Sequence, residues 1–177
     1  MGKIVLLVLS EIDSRYIAAL QTSLETTFHR VIEVSIKPGD LGYAYDRARK
    51  QYISPRLLSR LRRIKKGSDD KLMAVVNVDL YSAGYDFVYG EADVNAGVAT
   101  LSINRLMEST ADGRPDSDLL TERITREAIH EVGHLYGLVH CKNPKCVMRT
   151  CTCAAEVDEA GNGLCEGCLR TLQPRLQ

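Results

Sequence analysis

Three of the four histidines of this 177-residue chain lie in one stretch, HEVGHLYGLVH, between residues 130 and 140. On an α-helix, residues four apart are separated by only about 40° around the axis, so His130 and His134 face the same side and can share one metal ion. Glu131 lies beside them, where it suits a general base acting on water better than a third ligand. Gly137 can supply the left-handed position that ends a helix, and His140 can then return as a further nitrogen ligand. The stretch therefore predicts a zinc site with three protein ligands and a fourth position for water.

All the cysteines lie in the C-terminal part of the chain, at Cys141, Cys146, Cys151, Cys153, Cys165 and Cys168. In a chain without export features, such clustering is typical of a metal site more than of a disulfide scaffold. The first two and the last two form C-x4-C and C-x2-C pairs, which suit a tetrahedral structural zinc with a closed thiolate shell. Cys151 and Cys153 are left over; we favour free thiols, with alternative ligands or a redox pair as the other interpretations.

The residues after the third histidine narrow the comparison with known families. HExxHxxGxxH followed by a methionine, Met148, resembles the metzincin clan of zinc proteases. Cys141 directly after the third histidine, then Cys146 and Met148, and later CEGC at residues 165–168, together resemble the archaemetzincin family. The resemblance is dense in motifs over residues 130–168, whereas upstream it rests on the order of strands and helices.

This resemblance implies an α/β (α+β) chain with a metzincin-like zincin fold, in which helices pack on a mixed twisted sheet. It implies that Glu131 is the general base. It also implies that Cys146–Met148 forms a Met-turn, with Met148 as an apolar floor under the metal site. The ligands implied for a catalytic zinc are His130, His134 and His140. Those expected for a structural zinc, in a zinc-finger-like element, are Cys141, Cys146, Cys165 and Cys168. Two Zn²⁺ ions are therefore expected.

The hydrophobic pattern predicts strands alternating with helices. Strands are predicted at residues 3–9, 31–36, 72–80 and 99–103, with helices from Ser14, from Ser54 and from about residue 119. Ser14 is the predicted cap of the first helix, and Ile64 closes the predicted buried stripe of the second. Residues 99–103 alternate apolar with polar side chains, which predicts an edge strand with one wet face. Residues 81–97 are predicted to form a loop bordering a cleft, and 108–117 a surface connection.

We expect residues 1–177 to form one catalytic domain. Within it, residues 1–137 would make an N-terminal subdomain that carries the sheet and the active-site helix. Residues 138–177 would make a small C-terminal subdomain that carries the Met-turn and the four-cysteine site.

Composition excludes several classes of function. The 23 Lys and Arg residues balance 23 Asp and Glu residues, so nothing favours general attraction to nucleic acid or to an anionic membrane. The basic residues around 56–66 are interpreted as a solvated helix face. The apolar run at residues 4–9 is too short to span a membrane and has no signal-cleavage site, so we expect a cytoplasmic protein. We also expect it to act as a monomer.

These features predict a zinc-dependent peptidase that acts on a peptide or protein substrate, which the strand at 99–103 would bind by strand addition. One alternative is a zinc-stabilised peptide-binding protein that is catalytically silent or latent. A second alternative is a nucleic-acid-binding zinc ribbon. Its loop between Cys146 and Cys165 carries one basic residue, Arg149, and more acidic ones, so the loop would repel phosphate.

Overall fold

The computed structural model describes residues 2–109 and 115–176 of the chain. Their strands, in chain order, are β1 (Ile4–Val8), β2 (Ile32–Ile36), β3 (Tyr45–Asp46), β4 (Gln51–Ile53), β5 (Lys71–Val76), β6 (Leu80–Tyr81), β7 (Gly90–Asp93) and β8 (Val98–Ser102). Their α-helices are α1 (Ser14–Phe28), α2 (Ser54–Ile64), α3 (Ser117–Leu135), α4 (Ala154–Glu159) and α5 (Glu166–Leu172). Within this described part, no helix combines the length and apolar character needed to cross a membrane.

The main sheet is mixed, as expected. Its strand order is β2-β1-β5-β8-β7, and all neighbours are parallel except β7 and β8, which are antiparallel. Strands β3, β4 and β6 form a second, smaller sheet. Helices α1 and α3 pack together on one side of the main sheet, and α2 packs against β5 and β8. The α/β architecture predicted from the sequence is therefore confirmed.

The predicted edge strand is not at an edge. All five residues of β8 are buried, because β7 pairs along its outer side. The polar side chains that suggested a wet face are bonded inside the protein: the Thr100 hydroxyl lies 3.0 Å from that of Ser54, and the Ser102 hydroxyl donates to the Val78 carbonyl at 2.6 Å. On this side of the main sheet the edge strand is β7, which lies within the predicted loop 81–97.

Other local predictions also need correction. The predicted strand 72–80 is two strands, since β5 ends at Val76 and β6 belongs to the other sheet. Helix α1 is capped by Asp13, whose carboxylate accepts from the Arg15 backbone N–H at 3.0 Å, and not by Ser14. Ile64 is 47% exposed, so it does not extend the buried stripe of α2. The predicted connection 108–117 lies partly outside the described residues.

Helix α3 begins where Asp116 accepts two backbone N–H groups, and an arginine anchors it deep in the protein. The Arg123 side chain is fully buried and binds both carboxylate oxygens of Asp158, at 2.6 and 2.7 Å. Its remaining terminal nitrogen donates to the carbonyls of Leu106 and Glu108. Because every hydrogen bond of this guanidinium joins α3 to another segment, Arg123 fixes the position of the helix that ends in the histidine motif.

Replacing Arg123 with Leu should lower the free energy of unfolding by about 3–5 kcal/mol, because Asp158 and two carbonyls lose their partner in a largely dry environment. Arg170→Leu is the matched control. Its ion pair with Glu166 is exposed and should contribute about 0–1 kcal/mol. Chemical denaturation followed by circular dichroism measures both. Equal losses in the two variants would contradict the anchoring role of Arg123.

Candidate active site and metal centres

The last turn of α3 brings two histidine nitrogens together. The Nε2 atoms of His130 and His134 are 3.0 Å apart. Each ring can donate its Nδ1–H to a backbone carbonyl at 2.8 Å, that of Val147 for His130 and that of Leu138 for His134. With the protons on Nδ1, two lone pairs face each other across this gap, an arrangement that a shared cation stabilises.

The third histidine returns because the chain turns sharply after α3. Gly137 has φ 76°, and its N–H donates to the His134 carbonyl at 2.7 Å. The exposed His140 follows, and the ligand nitrogens of the three histidines all lie within 4.8 Å of one another. A tetrahedral zinc site with bonds of about 2.0–2.1 Å has nitrogen–nitrogen edges of about 3.3–3.4 Å, so small adjustments would let the three rings bind one ion.

Burial keeps the two helical histidines in the form that a metal needs. Desolvation is the main cause that lowers the pKa of His130, to about 4, and the nearby charge of His134 is the second cause. Desolvation is also the main cause that lowers the pKa of His134. Both rings are therefore neutral near pH 7, and neutral imidazole is the form that binds metal ions.

Glu131 lies beside this histidine group and is 5% exposed. Its Oε2 atom is buried without a hydrogen-bond partner. Strand β7 passes so close that a Cβ atom at Gly90 would lie 2.6 Å from Glu131 Oε1. Burial raises the pKa of Glu131 well above its usual value, and the charges of Glu127 and Glu91 raise it further. A positive ion bound by the neighbouring histidines would favour the carboxylate form and oppose this shift.

Met148 is fully buried beneath α3. A Cβ atom at Gly133 would lie 2.6 Å from its sulfur, so the glycine inside the motif makes room for the methionine. The Met148 carbonyl accepts from the Cys141 backbone N–H at 2.8 Å, which ties the turn to the residue after the third histidine. Met148 therefore packs against α3 at Gly133, which lies between His130 and His134 in the sequence.

Four cysteines form a second compact group, made of Cys141, Cys146, Cys165 and Cys168, with all sulfur atoms within 4.8 Å. Sulfur–sulfur distances are 3.8 Å between Cys141 and Cys165 and 3.7 Å between Cys146 and Cys168. A tetrahedron with zinc–sulfur bonds of about 2.3 Å has edges of about 3.8 Å, so this donor set fits a zinc ion. The Cys168 backbone N–H is the main cause that lowers the pKa of Cys165, to about 7.

The remaining cysteines, Cys151 and Cys153, lie outside this group. Cys153 is exposed, whereas Cys151 is partly buried and lines the cavity beside the histidines. Burial, and next the charge of Glu127, raises the pKa of the Cys151 thiol to about 12, so the thiol stays protonated near pH 7. This protonation does not favour Cys151 as a reactive redox group.

A cavity of about 580 Å³ opens over the histidine group. Its walls come from the segment around β7, from α3 and from residues 150–152. Residues 81–97 were predicted to border a cleft, and Tyr89, Gly90 and Glu91 of this segment do line the cavity. Glu127, which also lines it, was given no role from the sequence. The sequence did contain a signal for β7, because residues 93–97 include Asn95 and end in Gly97, which is typical of a turn between two strands. In the structure Gly97 has φ 66° and the turn joins β7 to the antiparallel β8.

Solved structures resemble this chain over almost its whole length. The archaemetzincin of Methanopyrus kandleri superposes with a TM-score of 0.86 and 31% identity, covering 99% of this chain and 95% of that one. A zinc-dependent peptidase from Methanocorpusculum labreanum superposes with a TM-score of 0.84 and 28% identity, covering 96% and 99%. The chain therefore has the fold of these archaeal enzymes, and with its histidine site it falls in the class of zinc metallopeptidases.

The family follows from the sequence comparison. The model of Peptidase family M54 matches residues 17–174. The archaemetzincin of Pyrococcus abyssi is 37% identical over 182 aligned positions, which cover 99% of this chain and 97% of that protein. The archaemetzincin of Archaeoglobus fulgidus is 36% identical and covers 89% and 91%. The chain belongs to peptidase family M54, and the resemblance noted in the sequence is confirmed.

The close approach at Gly133 leads to a prediction. Gly133→Ala should lower the melting temperature and the zinc content, because the added methyl group displaces the Met148 sulfur and, with it, the turn that holds His130. The double variant Gly133→Ala with Met148→Ala should recover part of the metal affinity, since it removes the clash. Zinc titration with a competing chelator measures both variants, and no difference between them would contradict this role of the contact.

Proposed function

We propose that His130, His134 and His140 hold a catalytic zinc ion and that Glu131 is the general base in peptide-bond hydrolysis. The observation that carries this proposal is the pair of facing Nε2 atoms with a buried, unpartnered carboxylate oxygen beside them. Membership of a peptidase family supports peptides or proteins as the substrate class.

When bound, zinc supplies Lewis acidity, which polarises a peptide carbonyl and lowers the pKa of water. Glu131 then accepts a proton from the attacking water and delivers it to the leaving amine, so one carboxyl group serves both halves of the reaction. Its surroundings suit this exchange, because burial and two neighbouring carboxylates raise its proton affinity. The Val147 and Leu138 carbonyls keep the two helical rings oriented throughout.

We propose that β7, and not β8, binds the substrate backbone. β7 is the last strand of the main sheet, so one side of its backbone is free of strand partners within the described residues. It also lines the cavity over the histidines through Gly90, Glu91 and Ala92. An extended peptide that adds to this edge would run past Glu131, which β7 contacts at Gly90.

The four-cysteine group is proposed to hold a second, structural zinc ion. Its sulfur spacing matches a tetrahedral thiolate shell, and a closed shell has no position for water. Since Cys141 follows His140 directly, this ion would hold in place the loop that supplies the third histidine. We therefore keep the proposed division into an N-terminal subdomain of residues 1–137 and a C-terminal subdomain of residues 138–177, which contains the four-cysteine group.

Three expectations from composition stay predictions: the protein acts as a monomer, in the cytoplasm, and without nucleic acid or membrane as a partner. Sedimentation at micromolar concentration tests the first. A salt-dependent shift with DNA or RNA in a gel assay would overturn the exclusion of nucleic acid.

The variant Glu131→Gln should lower kcat by about 10²- to 10⁴-fold while leaving bound zinc unchanged, because the amide fits the same space but cannot accept the proton. Peptide cleavage followed by mass spectrometry, with zinc measured on the same sample, tests this. Loss of zinc together with activity would instead indicate a ligand role for Glu131. A wild-type protein that binds peptides but cleaves none would favour the latent peptide-binding alternative.

Metal content should be two zinc ions per chain. His134→Ala should remove one ion with a small change in melting temperature. Cys165→Ser should remove the other and lower the melting temperature clearly, since structural zinc contributes to folding free energy. Cys153→Ser is the matched control, because Cys153 is exposed and lies outside the group, and it should retain both ions. A wild-type content of one ion would contradict the two-site proposal.

A further inference from the structure

The cavity over the histidines is strongly acidic. Four carboxylate residues line it, namely Asp86, Glu91, Glu127 and Glu131, and the described lining contains neither lysine nor arginine. The proposed mechanism uses one of these carboxylates, Glu131. Another, Glu91, accepts from the Ser82 hydroxyl at 3.0 Å through Oε1, whereas its Oε2 atom is buried without a partner. Glu127 makes no hydrogen bond among the described residues, and the proposed mechanism uses only its charge, which raises the pKa of Glu131.

Glu127 is an unusual residue to leave without a partner. It is 8% exposed, and among the described residues its carboxylate makes no hydrogen bond or ion pair. Desolvation raises its pKa to about 7. It does not orient the helical histidines, because backbone carbonyls already bind the Nδ1 atoms of His130 and His134. Burying such a carboxylate costs free energy unless a partner arrives.

A second polar group on the same wall also lacks a partner. Tyr89 is 5% exposed and lines the cavity, and its hydroxyl is buried without a hydrogen bond. Burial raises the pKa of this hydroxyl, and among nearby charges Glu127 contributes most. Tyr89 and Glu127 therefore offer a hydroxyl and a carboxyl group to the same cavity.

Within residues 2–109 and 115–176, no lysine or arginine lines this wall. Arg123 is the positive charge that acts on Tyr89, but its guanidinium binds Asp158 and two backbone carbonyls. Phe87, which lines the same cavity, packs edge-on to the Tyr89 ring with centroids 5.2 Å apart. The wall thus offers an aromatic surface that leads to a carboxylate and a hydroxyl, a combination that suits a long aliphatic side chain with a cationic end.

We propose that Glu127 and Tyr89 form a specificity pocket that binds a lysine or arginine side chain of the substrate, next to the scissile bond. This inference rests on the proposed peptidase function, and it names the substrate class of that site. Glu127 lies one helical turn before Glu131, so a side chain that reaches it belongs to a residue close to the reacting carbonyl. Ammonium or guanidinium donors would satisfy both unpartnered groups at once.

The test compares pairs of peptides in which one position holds either a basic residue, Lys or Arg, or norleucine. This position is moved in turn along the residues on both sides of the cleaved bond. With zinc-loaded wild-type protein, kcat/KM for the basic peptide should exceed that for the norleucine peptide at one position by on the order of 10²-fold. The norleucine peptide should be the poorer substrate because it leaves a buried charge without its partner. Glu127→Gln should bring that ratio close to one. Tyr89→Phe should reduce it by a smaller factor. Glu127→Gln keeps the side-chain shape and removes a buried charge, so the variant should fold.

Glu122→Gln is the matched control, because Glu122 lies on the same helix but outside the cavity lining, and its ratio should equal that of the wild type. Equal cleavage of basic and norleucine peptides by the wild type would overturn the specificity pocket and leave the peptidase proposal standing.

If no peptide is cleaved, the peptidase mechanism fails, and binding still tests the pocket. Zinc-loaded Glu131→Gln protein is then titrated with the same peptide pairs in a calorimeter. Tighter binding of the basic peptide, lost in the double variant with Glu127→Gln, supports the pocket, and equal binding overturns it.

Discussion

The hydrogen bond between His130 and the Val147 carbonyl is the interaction on which the rest of the site depends. It joins the helix that supplies two histidines to the turn that follows the third. If this bond forms, Met148 must pass beneath Gly133, where a larger residue would clash. The length of α3, its glycine and the path of the loop therefore meet one requirement. They bring three imidazoles together while the Nδ1 atoms of His130 and His134 stay bonded to backbone carbonyls.

The sheet contributes to the site through its last strand. Adding β7 antiparallel to a parallel sheet brings Gly90 against Glu131 and places an edge at the mouth of the cavity. Two turns earlier in α3, Arg123 binds two other segments of the chain. The helix is thus held by a charged anchor near its start and by the contact with β7 near its end.

Much of this site could be predicted from the sequence, because helical geometry alone places His130, Glu131 and His134 on neighbouring positions and glycine allows the turn to His140. The position of β7 could not, because Thr100 and Ser102 look like surface residues until their partners in other segments are known. Glu127 and Tyr89 were missed for a similar reason. Glu127 in a helix and Tyr89 in a predicted loop carry no sequence motif, and only the folded structure shows that both line one cavity.

A single peptide bond separates His140 from Cys141. With ions in both centres, each ion would restrict the freedom of the same few atoms, so filling one would lower the entropic cost of filling the other. Thermodynamic reciprocity then requires that each ion strengthen the binding of its neighbour by the same factor. Under falling zinc supply, half-loaded chains would be rarer than for two independent sites, and the response to zinc would be steeper.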